Sequence, residues 1–175
     1  MLIEITKMTN KHIEIERKFL INFKSEGFAL NEILNKICSK SFRIIQGYLC
    51  ADTSRTIRVR IKGEKGFLTI KGAANNNGFS RFEWEKEIDI EEAKQLLHLC
   101  KAGIIDKTRY EVIYEDKTFE IDQFHGENEG LIFAELELAS ENEPFIKPEW
   151  LGKEVTQDKR YYNSYISQNP YKNWK

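Results

Sequence analysis

Cysteine is scarce. Cys38, Cys50 and Cys100 are odd in number and far apart, and no Cys-x-x-Cys pair occurs among the 175 residues. That argues against a disulfide framework or a thiolate zinc site and points to a reducing, cytoplasmic setting. Histidine is equally sparse: His12, His98 and His125 are scattered and read as surface or loop positions, not ligands. No apolar run approaches the roughly 20 residues of a membrane helix. The opening MLIEITKMTNKH lacks the apolar stretch of a signal peptide, and Met8, just ahead of the patterned chain, reads as a second start site. Charge of one sign is missing as well, since 27 Lys and Arg face 28 Asp and Glu. No global field then draws the chain to nucleic acid or membrane, and binding of a charged ligand must come from local arrangement. There is no P-loop and no Gly-x-Gly-x-x-Gly, so a phosphate would be held by side chains and not by a glycine-rich nest. Repeats, low-complexity segments and linkers are absent; one domain is expected over 1–175, patterned from about residue 11 to 168.

What is present is strand-like alternation. HIEIERKFLI puts Ile13, Ile15, Arg17, Phe19 and Ile21 on one face and His12, Glu14, Glu16, Lys18 and Leu20 on the other. RIIQGYLC, TIRVRIK, FLTIKG, RFEWEKEI, KTRYEV, FEID and LIFAELEL bring the total to about eight strands. Their polar faces carry Arg58 and Arg60; Lys71; Arg81 with Glu83, Glu85 and Glu87; Lys107 and Arg109; Glu120 and Asp122; Glu135 and Glu137. KGEKG and YEDK read as tight turns and GAANNNG as a longer hairpin loop, so neighbours run antiparallel.

Helices are expected in LNEILNKIC after an Asn31 cap, in DIEEAKQLLHLCKAG between Asp89 and a Gly103 stop, and in DKRYYNSYIS. NEPFIKPEW reads as a local bend, and Trp84, on an apolar strand face, as core.

A charged strand face is ordinarily a solvated one. Here bases and acids are sorted onto different strands, and there is too little helix to cover eight strands. Closure into a barrel removes the edges and turns one face inward. The expected fold is therefore mainly β with flanking helices, a closed eight-stranded antiparallel barrel with a charged interior. Such an interior is costly without a ligand, and a polyanion with a divalent metal satisfies both walls. Carboxylates two apart on a strand lie roughly 7 Å apart on one face. Oxygen ligands without Cys or His suit Mg²⁺ or Mn²⁺, and guanidinium suits phosphate. Glu83, Glu85 and Glu87 read equally well as partners for the bases.

EIERKFL resembles the Glu-x-Glu-x-Lys opening of the CYTH superfamily, the triphosphate tunnel metalloenzymes. QGYL, RVRIKG, TIKG, SRFEWEKEI, KTRYEV, ELEL and EVTQDKRYYN follow in that family's order, and the short form is most similar to bacterial inorganic triphosphatases. The resemblance implies metal binding by Glu14, Glu16 and Glu137, with Glu135 and Asp122 as further candidates. It implies phosphate binding by Arg58, Arg60, Lys71, Arg81, Lys107 and Arg109, and places Lys159 on a helix capping one tunnel mouth. It pairs Lys18 with Tyr48 to assist water activation, with the Lys18 ammonium expected to lower the Tyr48 pKa. The implied activity is metal-dependent hydrolysis of tripolyphosphate to pyrophosphate and phosphate, by a monomer or homodimer. A class IV-type adenylate cyclase, a thiamine or nucleoside triphosphatase, and a non-catalytic polyphosphate or nucleotide sensor are the alternatives. Retention of the acids favours catalysis over the sensor.

Overall fold

The computed structural model describes residues 12–22, 34, 38–73, 80–100 and 103–174. Nine strands are present: β1 (Ile13–Ile21), β2 (Lys40–Ala51), β3 (Arg55–Lys62), β4 (Lys65–Gly72), β5 (Ser80–Ile88), β6 (Ile105–Tyr114), β7 (Lys117–Phe124), β8 (Ile132–Glu137) and β9 (Leu151–Glu154). Hydrogen-bonded neighbours run β5-β4-β3-β2-β6-β7-β8-β1, and β1 pairs back onto β5. That pairing closes an eight-stranded antiparallel barrel, and β9 lies outside the ring on β1.

Tight turns set the register. Lys62 opposes Lys65 across a two-residue turn in which Gly63 takes φ +60°, and Tyr114 opposes Lys117 across Glu115 at φ 53°. Such left-handed positions are what two-residue hairpins require.

β1 forms the seam. On one edge Glu16 to Leu20 pair with β8. On the other, Ile13 to Ile15 pair with β5, and pairing resumes with β9 at Phe19 and Ile21. Glu16, Arg17 and Lys18 span the interval between those two partners.

The main apolar core lies outside the barrel. Outward-facing Phe19, Val112, Phe119, Ile121, Ala134 and Leu136 are buried beneath Leu34, Leu138 and Leu151, with Phe145 and Trp150 against them. A second cluster plugs one end of the barrel, where Tyr48, Ile105, Phe124 and Phe133 meet Leu131, Ile166, Tyr161 and Trp174. Trp84 belongs to neither cluster. It sits half-buried on the outer wall opposite Ile70, because that part of the wall is only partly covered among the described residues.

Helix α1 (Ile90–His98) begins at Asp89, whose carboxylate accepts from the Glu91 and Glu92 N–H groups at 2.8 and 3.3 Å. It packs closely on β4: a Cβ at Gly66 would lie 2.7 Å from the Ala93 Cβ. It ends at Leu99, short of Gly103. Gly103 serves a different purpose, since its N–H bonds the Ser167 carbonyl at 2.8 Å and an added Cβ would meet that oxygen at 2.9 Å.

The expected C-terminal helix is broken. A 3₁₀ turn (Lys159–Tyr161) and a short helix α2 (Asn163–Ile166) flank an extended Tyr162. An unbroken helix would set neighbours about 100° apart. The break lets Tyr161 pack edge-to-face with Phe133 and Trp174 while Tyr162 faces the barrel interior. Apart from Leu34 and Cys38, the helix expected over LNEILNKIC lies outside the described residues, as does most of GAANNNG.

Candidate active site

The inward faces of the barrel surround a cavity of about 450 Å³. Among the described residues its lining holds carboxylates and cations in equal number, seven of each. Glu14, Glu16 and Lys18 come from β1; Arg58, Arg60 and Lys62 from β3; Lys71 from β4. Arg81, Glu83 and Glu85 come from β5, Arg109 from β6, Glu120 from β7, and Glu135 with Glu137 from β8. Period-two alternation delivers them, since those that share a strand sit two residues apart along it.

The charges pair across the barrel. Glu14 accepts from Lys71 Nζ at 2.7 Å and from Arg81 Nε at 2.9 Å. Burial works to raise its pKa, but those two cations outweigh burial and hold it well below the carboxylate range. Glu83 meets Lys71 at 2.8 Å; burial, with a hydrogen bond to Glu14, pushes its pKa up to about 7 despite that lysine. Glu85 holds Arg60 at 3.0 Å, Arg58 at 3.4 Å and the Thr69 hydroxyl at 2.6 Å. This is the pairing role that the alternation allowed for Glu83 and Glu85, whereas Glu87 bonds Lys65 at 2.9 Å on the exposed rim.

Lys18 bridges Glu16 and Glu135. Burial opposes its charge, yet the two carboxylates raise its pKa, so it is a cation at neutral pH. Glu135 also accepts from Arg109 at 2.6 Å and is held well below its ordinary value, Lys18 and Arg109 outweighing its burial. Glu16 moves the other way, raised by burial and by Glu135.

Three of the expected site residues stand back from the lining. Asp122, 0% exposed, receives Lys107 and Arg109 deeper inside the barrel, toward its plugged end, the latter through two bonds of 2.7 and 2.6 Å. Lys107 is 1% exposed; burial pulls its pKa down to about 8 in spite of Asp122. Lys159 opens the 3₁₀ turn and is not among the lining residues.

Tyr48 lines the inner end, its hydroxyl accepting from Gln46 Nε2 at 3.5 Å. The expected depression of its pKa does not occur. Burial raises it, and Arg58, Arg81 and Lys18 offset this only in part.

Two features of the cavity stand out against this web of pairs. Arg58 is 8% exposed, and its Nε and that of Arg60 are buried donors without a partner among the described residues. Conversely, the Glu137 side chain makes no ion pair or hydrogen bond among the described residues. Burial and the nearby Glu14 and Glu120 raise its pKa. An unpaired buried donor costs free energy, and a carboxylate among carboxylates repels its neighbours. The cavity therefore has donors to offer an anion and acid oxygens to offer a cation.

Comparison with known proteins assigns the barrel. The family model of the CYTH domain matches residues 12–168. The chain belongs to the CYTH domain family. It is 44% identical over 163 residues to an inorganic triphosphatase of Acetivibrio thermocellus, covering 93% of this chain and 97% of that one. It is 36% identical over 158 residues to an inorganic triphosphatase of Nitrosomonas europaea, covering 88% and 96%. The crystal structure of an inorganic triphosphatase superposes with a TM-score of 0.58 at 33% identity, over 88% of this chain and 93% of that one.

The CYTH cavity has lining residues that the sequence pattern left out of the site. Lys62 and Glu120 share the inward parity of Arg60 and Asp122, so alternation alone marks their faces. Lys62 sits 4.2 Å from the Phe42 ring centroid at the rim, where burial lowers its pKa. Thr156, Tyr162, Asn163 and Ser164 come from the irregular C-terminal segment, which has no periodicity to betray them. His12, expected on the surface, lines the cavity and packs on Phe82 with centroids 5.5 Å apart.

Proposed function

We propose that this CYTH chain hydrolyses inorganic triphosphate to pyrophosphate and phosphate within the barrel. The observation that carries this reading is the convergence of Arg58, Arg60, Lys71, Arg81 and Arg109 on one cavity that acidic side chains also line. Phosphate oxygens are the acceptors such donors fit. On this reading Lys71, Arg81 and Arg109 turn from their carboxylates toward the same polyanion. Lys107 and Asp122 act from the closed end of the barrel by holding Arg109, and Lys159 acts at the C-terminal cap. Among the described residues the lining offers only Tyr48, Tyr162 and His12 as rings, which favours a small inorganic substrate over one carrying a base.

Family membership implies a divalent metal, and the acids present fit one. Among the described residues no three carboxylates, imidazoles or thiolates are gathered into a ready-made cage. Glu137 is nonetheless free, and Glu16, its cross-strand partner, is crowded by another carboxylate. Phosphate binding would release Glu14 and Glu135 from their cations to join them. The all-oxygen set suits Mg²⁺ or Mn²⁺. When bound, the ion supplies charge to offset the non-bridging oxygens and lowers the pKa of water.

Lys18, kept charged by Glu16 and Glu135, is a donor to the phosphate chain, and Tyr48, kept neutral by burial, is a hydroxyl donor beside it. Neither is a base at neutral pH. Positioning and charge neutralisation then do most of the work, as phosphoryl transfer requires.

The test is release of phosphate and pyrophosphate from tripolyphosphate, ATP and thiamine triphosphate, with Mg²⁺ or Mn²⁺, beside Glu16→Ala. Metal-dependent turnover of tripolyphosphate well above the others, lost in Glu16→Ala, is the expected result. Cyclic AMP and pyrophosphate from ATP would instead make the protein a cyclase. Tight tripolyphosphate binding without turnover would make it a sensor.

A further inference from the structure

The seam in β1 leaves Lys18 without a strand on one edge. Its N–H is received by the Thr156 hydroxyl oxygen at 3.0 Å, and its carbonyl accepts from the Val155 N–H at 2.8 Å. The Thr156 hydroxyl in turn donates to Glu154 Oε1 at 2.7 Å. Glu154 is gripped through both oxygens by Arg17, whose Nε donates to it at 2.9 Å. Arg17 is itself seated 5.3 and 5.2 Å from the ring centroids of Phe19 and Phe145 on the outer wall. A chain of polar contacts thus runs from the packed exterior, through Thr156, to the backbone of the one lysine that bridges Glu16 and Glu135.

We propose that Thr156 is a positioning residue for Lys18, holding its backbone across the gap between β5 and β9 so that the ammonium stays on the phosphate path. This rests on the role proposed above for Lys18. A hydroxyl suits the position because it accepts and donates at once. Valine has the same shape and can do neither. Thr156 borders the cavity yet is 3% exposed, so little solvent is at hand to replace it as acceptor for the Lys18 N–H. The ammonium sits at the end of a flexible four-carbon stem, and a backbone shift at its root is carried to the reacting phosphate. A displacement of this kind costs on the order of 100-fold in rate.

Steady-state kinetics on tripolyphosphate with Mg²⁺ test the proposal, using the full chain as wild type, Thr156→Val, Thr156→Ser and Lys18→Met. Thr156→Val is expected to lower kcat by roughly 30- to 100-fold with KM within about threefold, and Thr156→Ser to stay within about threefold in both. A folded Thr156→Val of near wild-type kcat overturns the proposal. So does a loss confined to KM, which would mark direct substrate contact, or a Thr156→Ser as impaired as Thr156→Val. Lys18→Met separates this inference from its premise. If Lys18→Met keeps its kcat, the role of Lys18 fails and the proposal falls with it. If Lys18→Met is inactive while Thr156→Val is not impaired, only the positioning role is overturned. Should thermal melting show that Thr156→Val does not fold, Glu154→Gln tests the same chain from its far end. A drop in kcat at constant KM then supports the proposal, and an unchanged kcat overturns it.

Discussion

Glu16 and Glu137 stand directly opposite each other on β1 and β8, two carboxylates in one cross-strand pair. Like charges so placed destabilise a sheet, and both groups have raised pKa values. Only Glu16 has a cation, Lys18, to lean on. The arrangement makes sense as a cation site that the fold tolerates for function. Glu137→Gln is expected to raise the metal concentration for half-maximal activity by about tenfold or more, as loss of a metal contact does. It should also leave the metal-free protein at least as heat-stable as wild type, because it removes a repelled charge. Metal titrations of activity, with melting curves in chelator, check both halves.

Arg58 lines the cavity, and its Nε has no partner among the described residues. Arg58→Ala is expected to raise KM for tripolyphosphate by roughly 10- to 100-fold, the loss of a charge-assisted contact of about 1.5–3 kcal/mol. Arg58→Lys should recover little of it, since a point charge lacks the planar fork. Folding should survive, because Glu85 keeps Arg60 and Thr69 as partners. Substrate titrations of the two variants decide this.

Glu83 titrates at about 7 in the folded protein, against an ordinary 4.5. Between those values the folded state holds a proton that the unfolded chain has lost, so stability falls as pH rises through the window. Glu14, depressed by its cations, acts in the opposite sense and only at lower pH. Melting temperature in chelator should therefore decline from about pH 5 to pH 7, and Glu83→Gln should flatten its share, on the order of 1–3 kcal/mol. A wild-type slope that Glu83→Gln leaves intact would assign the titration elsewhere.

Tyr48 is buried and its pKa is raised. A phenol kept neutral donates a hydrogen bond but is no base. Tyr48→Phe is expected to cost about tenfold in kcat, the loss of one hydrogen bond of roughly 1–1.5 kcal/mol. The shape of the pH–rate profile should not change. Loss of an ionisation from that profile would show that the phenolate takes part after all.

Lys107 and Asp122 form a buried pair at the closed end of the barrel, 1% and 0% exposed. Lys107→Met leaves Asp122 with Arg109 alone and is expected to destabilise the fold by about 3 kcal/mol. Denaturant unfolding measures it. The same variant should also raise KM, because Arg109 loses its counterweight at Asp122.

The alternation of β1, β3 and β5–β8 was readable from the chain because pleating sends every second residue to one face. Glu14, Glu16, Arg58, Arg109 and Glu135 reach the cavity for that reason alone, and Lys62 and Glu120 follow the same parity. Barrel closure was legible from the shortage of helix and the tight turns. The ends of helices were less so. Gly103 reads as a stop signal, yet its small size answers the approach of Ser167, a contact made far along the chain.

The sequence by itself determined which side chains share a face, since that depends only on the two-residue repeat of a strand. Only the tertiary structure decided which charge neutralises which. Lys18 meets Glu135, Arg109 meets Asp122, and Lys71 meets Glu14 because of the stagger with which the strands close, and stagger is a property of the whole ring. It also decided that Tyr48 stays neutral, since burial is summed over every element that surrounds the phenol. And it brought Thr156, from a segment without periodicity, to the gap beside Lys18, where nothing local in the sequence points.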